Sequence, residues 1–253
     1  MNSQIALITG ATSGIGAACA RLFAAQGYQL ILVARRAAIL ETLAQELRDQ
    51  FQIEVQCLIA DVRDKAGITS TLESLPEAWK KVNVLINNAG LSQGLEPIDQ
   101  GDTNDWDTMI DTNVKGLLYV TKVVSNWMIP NQSGHIVNIG SIAGKEVYPN
   151  GNVYSATKHA VDALNKAMRI DLLPHRIKVT AINPGMVETA FSIVRFKGDE
   201  ERAKNVYKGF EPLLAEDIAD AIWFAVSRPA HVNINDMLIM PTAQATATMT
   251  VKN

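Results

Sequence analysis

Cysteine is scarce in this 253-residue chain. The two residues, Cys19 and Cys57, both sit inside apolar runs (AACARLFA and VQCLIA). Such placement argues against a disulfide framework and reads as buried free thiols. Long hydrophobic runs are missing too, and none approaches the ~18 apolar residues that span a bilayer. The opening MNSQIALITG has no basic segment and only the short apolar run IALIT, so it does not read as a signal peptide. There is no excess of positive charge: 23 Lys and Arg against 26 Asp and Glu give a formal net charge of −3. Bulk electrostatics therefore give no reason to expect nucleic acid as a partner. Histidines 135, 159, 175 and 231 show no metal-ligand spacing. No low-complexity tract, linker or internal repeat interrupts the chain. These absences leave a soluble cytoplasmic protein folded as one domain over residues 1–253, without metal, membrane or nucleic acid.

The content that is present has a strict rhythm. Short β-branched runs at 5–9, 29–34, 54–60, 83–87, 135–140, 178–183 and 236–240 read as strands. Most are apolar on both faces, as parallel strands covered by helices on either side require. Helical patterns fall between them: Ile15–Gln26, Ala38–Gln50, Lys65–Leu75, Asn104–Trp127, Asn152–Leu173 and Glu216–Ser227. Strand–helix–strand alternation predicts an α/β fold, a doubly wound parallel sheet with helices on both faces. The least regular stretch, Pro184 to about Leu214, is long enough for a lid with one or two short helices. Segments placed after a strand's carboxyl end often cover a site.

Gly10, Gly14 and Gly16, in TGATSGIG at 9–16, lie between the first strand and the first helix. Glycine lets the backbone turn sharply and approach a pyrophosphate, while a helix N-terminus offers unpaired N–H groups. Glycine-rich turns of this kind also arise for structural reasons alone. At the end of the second strand an NAD site usually places a carboxylate for the ribose hydroxyl. Here the residues are Ala34, Arg35 and Arg36, and no acid occurs before Glu41. Two guanidinium groups suit a 2′-phosphate, which favours NADP, although two solvated arginines at a helix start would look the same. Asp61-Val62 ends the third strand, where the carboxylate either accepts from an adenine amino group or caps a helix.

Tyr154 and Lys158 are four residues apart in NVYSATKHAV, which places both on one face of a helix. An ammonium beside a phenol favours the phenolate and lowers a pKa that is ordinarily near ~10. The pair could then exchange a proton with a substrate oxygen. Alone the pattern occurs by chance, as a surface tyrosine beside a solvated lysine.

Taken together, TGATSGIG, NNAG at 87–90, Asn113, Ser141, Tyr154 with Lys158, and Pro184-Gly185 resemble the short-chain dehydrogenase/reductase family, in its order and near its spacings. The resemblance covers essentially the whole chain. It implies a Rossmann-like sheet of order 3-2-1-4-5-6-7. It implies that Tyr154 is the general acid/base and that Lys158 lowers its pKa and binds the nicotinamide ribose. Ser141 would bond the substrate oxygen, and Asn113 would hold a water linking Lys158 to solvent. Thr12, Ser13, Ile15 and the loop glycines would carry the pyrophosphate, with Arg35, Arg36, Asp61 and Val62 at the adenosine end. Asn87, Asn88, Ala89 and Gly90 would line the cofactor and brace the sheet, and Pro184, Gly185, Val187 and Thr189 would position the nicotinamide. Read singly, Asn87-Asn88 and Pro184-Gly185 are also ordinary turn residues.

A narrower resemblance lies in VRFKGD (194–199), NVYKG (205–209), PAHVNIND (229–236) and MPTAQA (240–245). These stretches are similar to the NADP-dependent 3-hydroxy acid dehydrogenase branch. That branch implies serine, L-allo-threonine or a related short 3-hydroxy acid as the small-molecule substrate, and a homotetramer. A carboxylated substrate needs a cation near the reacting carbon; the lid offers Arg195 and Lys197, which read equally well as solvated cations. The rival readings are a broad carbonyl reductase, a 3-oxoacyl-thioester reductase and a non-catalytic NADP-binding regulator. A mere binder has no need of Ser141, Tyr154 and Lys158 together.

Overall fold

The structure, a computed structural model, describes residues 4–253; the first three residues of the segment read above for a leader lie outside it. Seven strands are present: β1 (Ile5–Thr9), β2 (Gln29–Ala34), β3 (Val55–Ile59), β4 (Val84–Asn87), β5 (Gly134–Ile139), β6 (Ile177–Pro184) and β7 (Asp236–Ile239). They form one sheet of order β3-β2-β1-β4-β5-β6-β7, and every neighbouring pair is parallel. This is the order the family resemblance implies. The chain reverses direction of travel between β1 and β4, which opens a crevice at the carboxyl ends of the strands, where open α/β sheets bind ligands.

Nine α-helices cover the sheet among the described residues: α1 (Gly14–Ala25), α2 (Ala37–Phe51), α3 (Lys65–Glu73), α4 (Thr103–Ile110), α5 (Leu117–Met128), α6 (Asn152–Leu172), α7 (Phe191–Arg195), α8 (Glu200–Val206) and α9 (Ala215–Val226). Successive strand side chains point to opposite faces, so β1 to β6 each feed two cores. Ala6 and Ile8 join Leu30, Leu32 and Ile86 under α1, α2 and α9. Ile5 and Leu7 join Ile31, Val33 and Leu85 under α3, α5 and α6. Leu7 and Ile8 are both fully buried, and truncating either to alanine should cost about 2–5 kcal/mol.

Two expectations need correction. The helix predicted over Asn104–Trp127 is interrupted by a π-helical segment, Asp111–Gly116, between α4 and α5. The wider turn coincides with two tertiary demands: Asn113 reaches across to the backbone of Leu91, and Gly116 packs so close to Val62 that a Cβ would lie 2.7 Å from Cγ2. Second, the sequence reads Cys57 as a buried thiol, but β3, like β7, is an edge strand open on one side, and Ile59 and Leu238 are about half exposed. Cys57, on β3, is accordingly half-buried, whereas Cys19 is buried. Burial pushes the Cys19 thiol far above its usual range and, with Glu41 nearby, the Cys57 thiol to about 11. Neither is poised as a nucleophile.

Candidate active site

A cleft of about 510 Å³ runs along the carboxyl ends of the strands. Its floor is the β1–α1 turn. Gly10 adopts φ +68°, a conformation glycine accepts without strain. Gly16 lies behind the turn and not on the cleft, a departure from the expected cofactor contact; a Cβ there would strike the Gly10 carbonyl and lie 2.6 Å from Asn88 Nδ2. Its role is to let α1 close against the turn. The N-cap Ser13 makes no side-chain capping bond, so the first N–H groups of α1 stay open to an anion. Thr12, Ser13, Gly14 and Ile15 all face the cleft.

At one end stand the guanidinium groups of Arg35 and Arg36. Arg36 donates to Thr12 Oγ1 at 2.8 Å and to Ser13 Oγ at 3.1 Å. Arg35 Nη1 lies 3.7 Å from Asp61 Oδ2. Arg63, which sequence reasoning missed, grips the same carboxylate at 2.6 Å. The Arg63 bond, more than the Arg35 charge, holds the Asp61 carboxyl below the usual range. Asp61 thus serves Arg63, while α3 is capped by Asp64, which accepts from Gly67 N at 3.0 Å. Asp61 and Val62 do line the cleft, as do Asn88, Ala89 and Gly90. Asn88 Nδ2 ties β4 to β1 by donating to the Thr9 and Gly10 carbonyls. Asn87 points away, donating to Thr121 Oγ1 on α5 and to Asn138 Oδ1 on β5, so it braces the sheet and does not line the cleft.

At the other end Ser141, Tyr154 and Lys158 converge. Tyr154 and Lys158 share a face of α6, with Nζ 5.9 Å from the tyrosine ring centre. Burial pushes the Tyr154 phenol up to about 12, opposed by the Arg195 guanidinium and then by the Ser141 hydroxyl, with Tyr148 and Tyr207 adding to the rise. Lys158 Nζ donates to the Ile139 carbonyl at 2.8 Å, and burial lowers its own pKa to about 8. Of the groups facing the phenol, the Arg195 guanidinium does most to favour the phenolate. Asn113 is buried beside the cleft without lining it. Both Nδ2 hydrogens are used, on the Leu91 carbonyl at 2.8 Å and Thr157 Oγ1 at 3.0 Å, while Oδ1 accepts from Leu91 N. The amide retains one free lone pair for a water.

The lid brings Arg195 into the site and leaves Lys197 out. Arg195 ends α7 with its guanidinium 5.3 Å from the Tyr154 ring centre and 5.1 Å from that of Phe191. Nη2 donates to Tyr148 Oη at 2.9 Å, and the buried Nε has no partner among the described residues. Lys197 instead pairs with Asp105 at 2.9 Å. Pro184, Gly185, Val187 and Thr189 line the cleft beneath the lid. Gln244, from MPTAQA, pins this segment by accepting from Met186 N at 2.8 Å. Sequence reasoning also missed Tyr148, Phe191 and Tyr207. No spacing in the sequence singles them out; the fold brings Tyr148, Phe191 and Tyr207 to the same cleft as Tyr154.

The short chain dehydrogenase family matches residues 4–200 of this sequence. The chain belongs to that family. It is 45% identical over 249 residues to the NADP-dependent 3-hydroxy acid dehydrogenase of Salmonella typhi, covering 98% of this chain and 99% of the relative. Sulfoacetaldehyde reductase 2 of Chromohalobacter salexigens is 45% identical over 244 residues, covering 96% of each. The closed form of serine dehydrogenase complexed with NADP+ superposes with a TM-score of 0.90 at 43% identity, over 99% of this chain and all of that one. Family membership makes this chain an oxidoreductase acting on CH–OH groups.

Proposed function

We propose that the chain is an NADP-dependent oxidoreductase that moves a hydride between nicotinamide and a short 3-hydroxy acid or its 3-oxo counterpart. The observation that carries this reading is Arg195: a guanidinium with an unpaired buried Nε, facing Tyr154, with no acidic partner among the described residues. A buried donor of this kind calls for an anionic group on the substrate. The relatives' names and the VRFKGD and MPTAQA stretches point the same way.

The cleft fits the cofactor. Arg35 and Arg36 would hold a 2′-phosphate, the open N-terminus of α1 would meet the pyrophosphate, and Lys158 would reach the nicotinamide ribose. When bound, the nicotinamide supplies or accepts the hydride. Ser141 would hydrogen-bond the substrate oxygen and hold it against Tyr154. The neutral phenol is the form that gives a proton to a carbonyl oxygen; in the oxidative direction it must first lose one, helped by the Arg195 and Lys158 charges. Arg195 would orient the carboxylate.

A sulfonate in place of the carboxylate is a second reading, supported by the Chromohalobacter relative, since a guanidinium fork suits both anions. Absorbance of reduced nicotinamide, followed over serine, 3-hydroxybutyrate, sulfoacetaldehyde and size-matched neutral alcohols with NADP and NAD, tests the proposal. Preference for neutral substrates would defeat the anion reading, and preference for NAD the phosphate reading.

We further read the chain as one domain with a lid at about 185–214, working in the cytoplasm as a homotetramer. No helix among the described residues is long and apolar enough to cross a membrane. Ile170 on α6 and Leu173 just beyond it are 73% and 72% exposed, apolar surface that a second copy would cover. Sedimentation of the purified protein tests this assembly; a monomer at micromolar concentration would refute it.

A further inference from the structure

We propose that Asn183 and Asp236 are positioning residues for Ser141, and that Asp236, through Asn183 and Lys145, holds both ends of the turn carrying the serine. The inference rests on the role given to Ser141 above.

Ser141 opens a 3-10 turn, Ile142–Gly144, and its Oγ accepts from Ala143 N at 3.0 Å. That bond leaves the hydroxyl hydrogen free for a substrate oxygen. The start of the turn is anchored by Ser141 N donating to Asn183 Oδ1 at 3.2 Å. Asn183, on β6, is 1% exposed. The contact is tight enough to demand Gly140, where a Cβ would strike the same oxygen. The far side of the amide, Nδ2, donates to Asp236 Oδ2 at 3.1 Å, at the first residue of β7. Just past the end of the turn, Lys145 Nζ donates to the same Asp236 oxygen at 2.7 Å and to Asp162 Oδ1 of α6 at 2.6 Å.

An asparagine amide can turn over and exchange its donor and acceptor ends. Here the two ends agree on one orientation. A backbone N–H only donates and a carboxylate only accepts, so Ser141 demands the oxygen and Asp236 demands the nitrogen. Asp236 therefore sets the polarity of Asn183, and Asn183 sets the backbone of Ser141. With an amide at position 236 the charge that holds Lys145 is gone, and Lys145 can turn wholly to Asp162. Either orientation of Asn183 then finds a partner, so the Ser141 N–H loses its assured acceptor. Neither Asn183 nor Asp236 lines the cleft, so an effect on chemistry must pass through the turn.

The test is a double-mutant cycle with Asp236→Asn and Lys145→Gln, each alone and in a Ser141→Ala background, reading kcat, KM and the Kd of NADPH by fluorescence. Asp236→Asn should lower kcat roughly ten- to a hundredfold, the scale of a small misplacement, with the NADPH Kd within about twofold of wild type, and the loss should vanish once Ser141 is alanine. Lys145→Gln should act in the same direction but less. An equal loss with and without the serine, or a change confined to melting temperature or NADPH affinity, overturns the inference. If Asp236→Asn does not fold, Lys145→Gln decides by the same criteria. If Ser141→Ala itself leaves kcat intact, the serine's own role fails, a result distinct from an Asp236 that acts elsewhere.

Discussion

Replacing Arg195 with alanine should remove two effects that can be separated by the choice of substrate. The first is the clamp. Nη2 is already committed to Tyr148 at 2.9 Å, while Nε is buried without a partner, so a bound carboxylate would gain at least one charge-assisted bond there. Such a bond is worth about 1.5–3 kcal/mol, or roughly 10- to 150-fold in kcat/KM at about 1.4 kcal/mol per tenfold. A neutral alcohol of the same size loses none of this. The second effect is shared: the guanidinium is the largest influence opposing the burial that raises the Tyr154 pKa. Without it the phenol's pKa rises further, and the pH at which oxidation reaches half its maximal rate moves up for every substrate. The ratio of kcat/KM for 3-hydroxybutyrate to that for a neutral secondary alcohol cancels the shared part. That ratio, measured by nicotinamide absorbance at fixed pH, should fall by the clamp's share alone. Arg195→Lys should restore more of the pH shift than of the ratio, since an ammonium is a point charge without the planar fork. Equal losses on charged and neutral substrates would refute the clamp and leave Arg195 as a shaper of the lid through Tyr148 and Phe191.

The strands were legible because each is a short apolar run whose ends coincide with loss of cover: β1 and β2 fall at the expected residues, and the other five within a residue or so. The π-helical break at Asp111–Gly116 was not, because its cause lies in Leu91 and Val62, residues distant in sequence. Apolar periodicity simply runs through it. In the site, local spacings transferred and long-range contacts did not. Tyr154 and Lys158 share a helix face as four-residue spacing dictates, yet spacing could not say that Nζ would turn to the Ile139 carbonyl. Likewise VRFKGD read as one basic segment. In the fold Arg195 closes α7 toward the cleft, whereas Lys197 takes φ +53° and turns outward to Asp105. Arg63, Asn183 and Tyr148 acquire their roles only through partners that tertiary structure supplies.

Tyr154→Phe should lower kcat by ~10²–10⁴-fold, the usual loss of a positioned acid/base, with NADPH binding by fluorescence largely kept; near wild-type turnover would refute the assignment. Lys158→Ala should reduce both kcat and NADPH affinity, and a change in one alone would refute its double role. Arg35→Ala with Arg36→Ala should raise KM for NADP far more than for NAD, by about 1.5–3 kcal/mol per lost charged bond; equal effects on the two cofactors would refute the phosphate site. The last prediction concerns stability. His135 is buried in β5, its Nε2 within 2.7 Å of Thr180 Oγ1 and its Nδ1 unpartnered. Burial, with the Lys178 charge, depresses its pKa to about 3, whereas in the unfolded chain the imidazole titrates near ~6.5. Below that value the unfolded chain binds a proton that the folded protein refuses. The contribution is therefore flat above about pH 6.5, and stability is lost as the pH falls, by up to about 1.4 kcal/mol per pH unit. By pH 5 the loss should reach about 2 kcal/mol on that slope. His135→Gln cannot titrate, so urea unfolding at pH 7.5 and pH 5 should show wild type losing about that much more stability than the variant over the interval. Acidic side chains titrate alike in both proteins and cancel in the comparison. Parallel losses would mean that the folded protein accepts the proton on His135 as readily as water does.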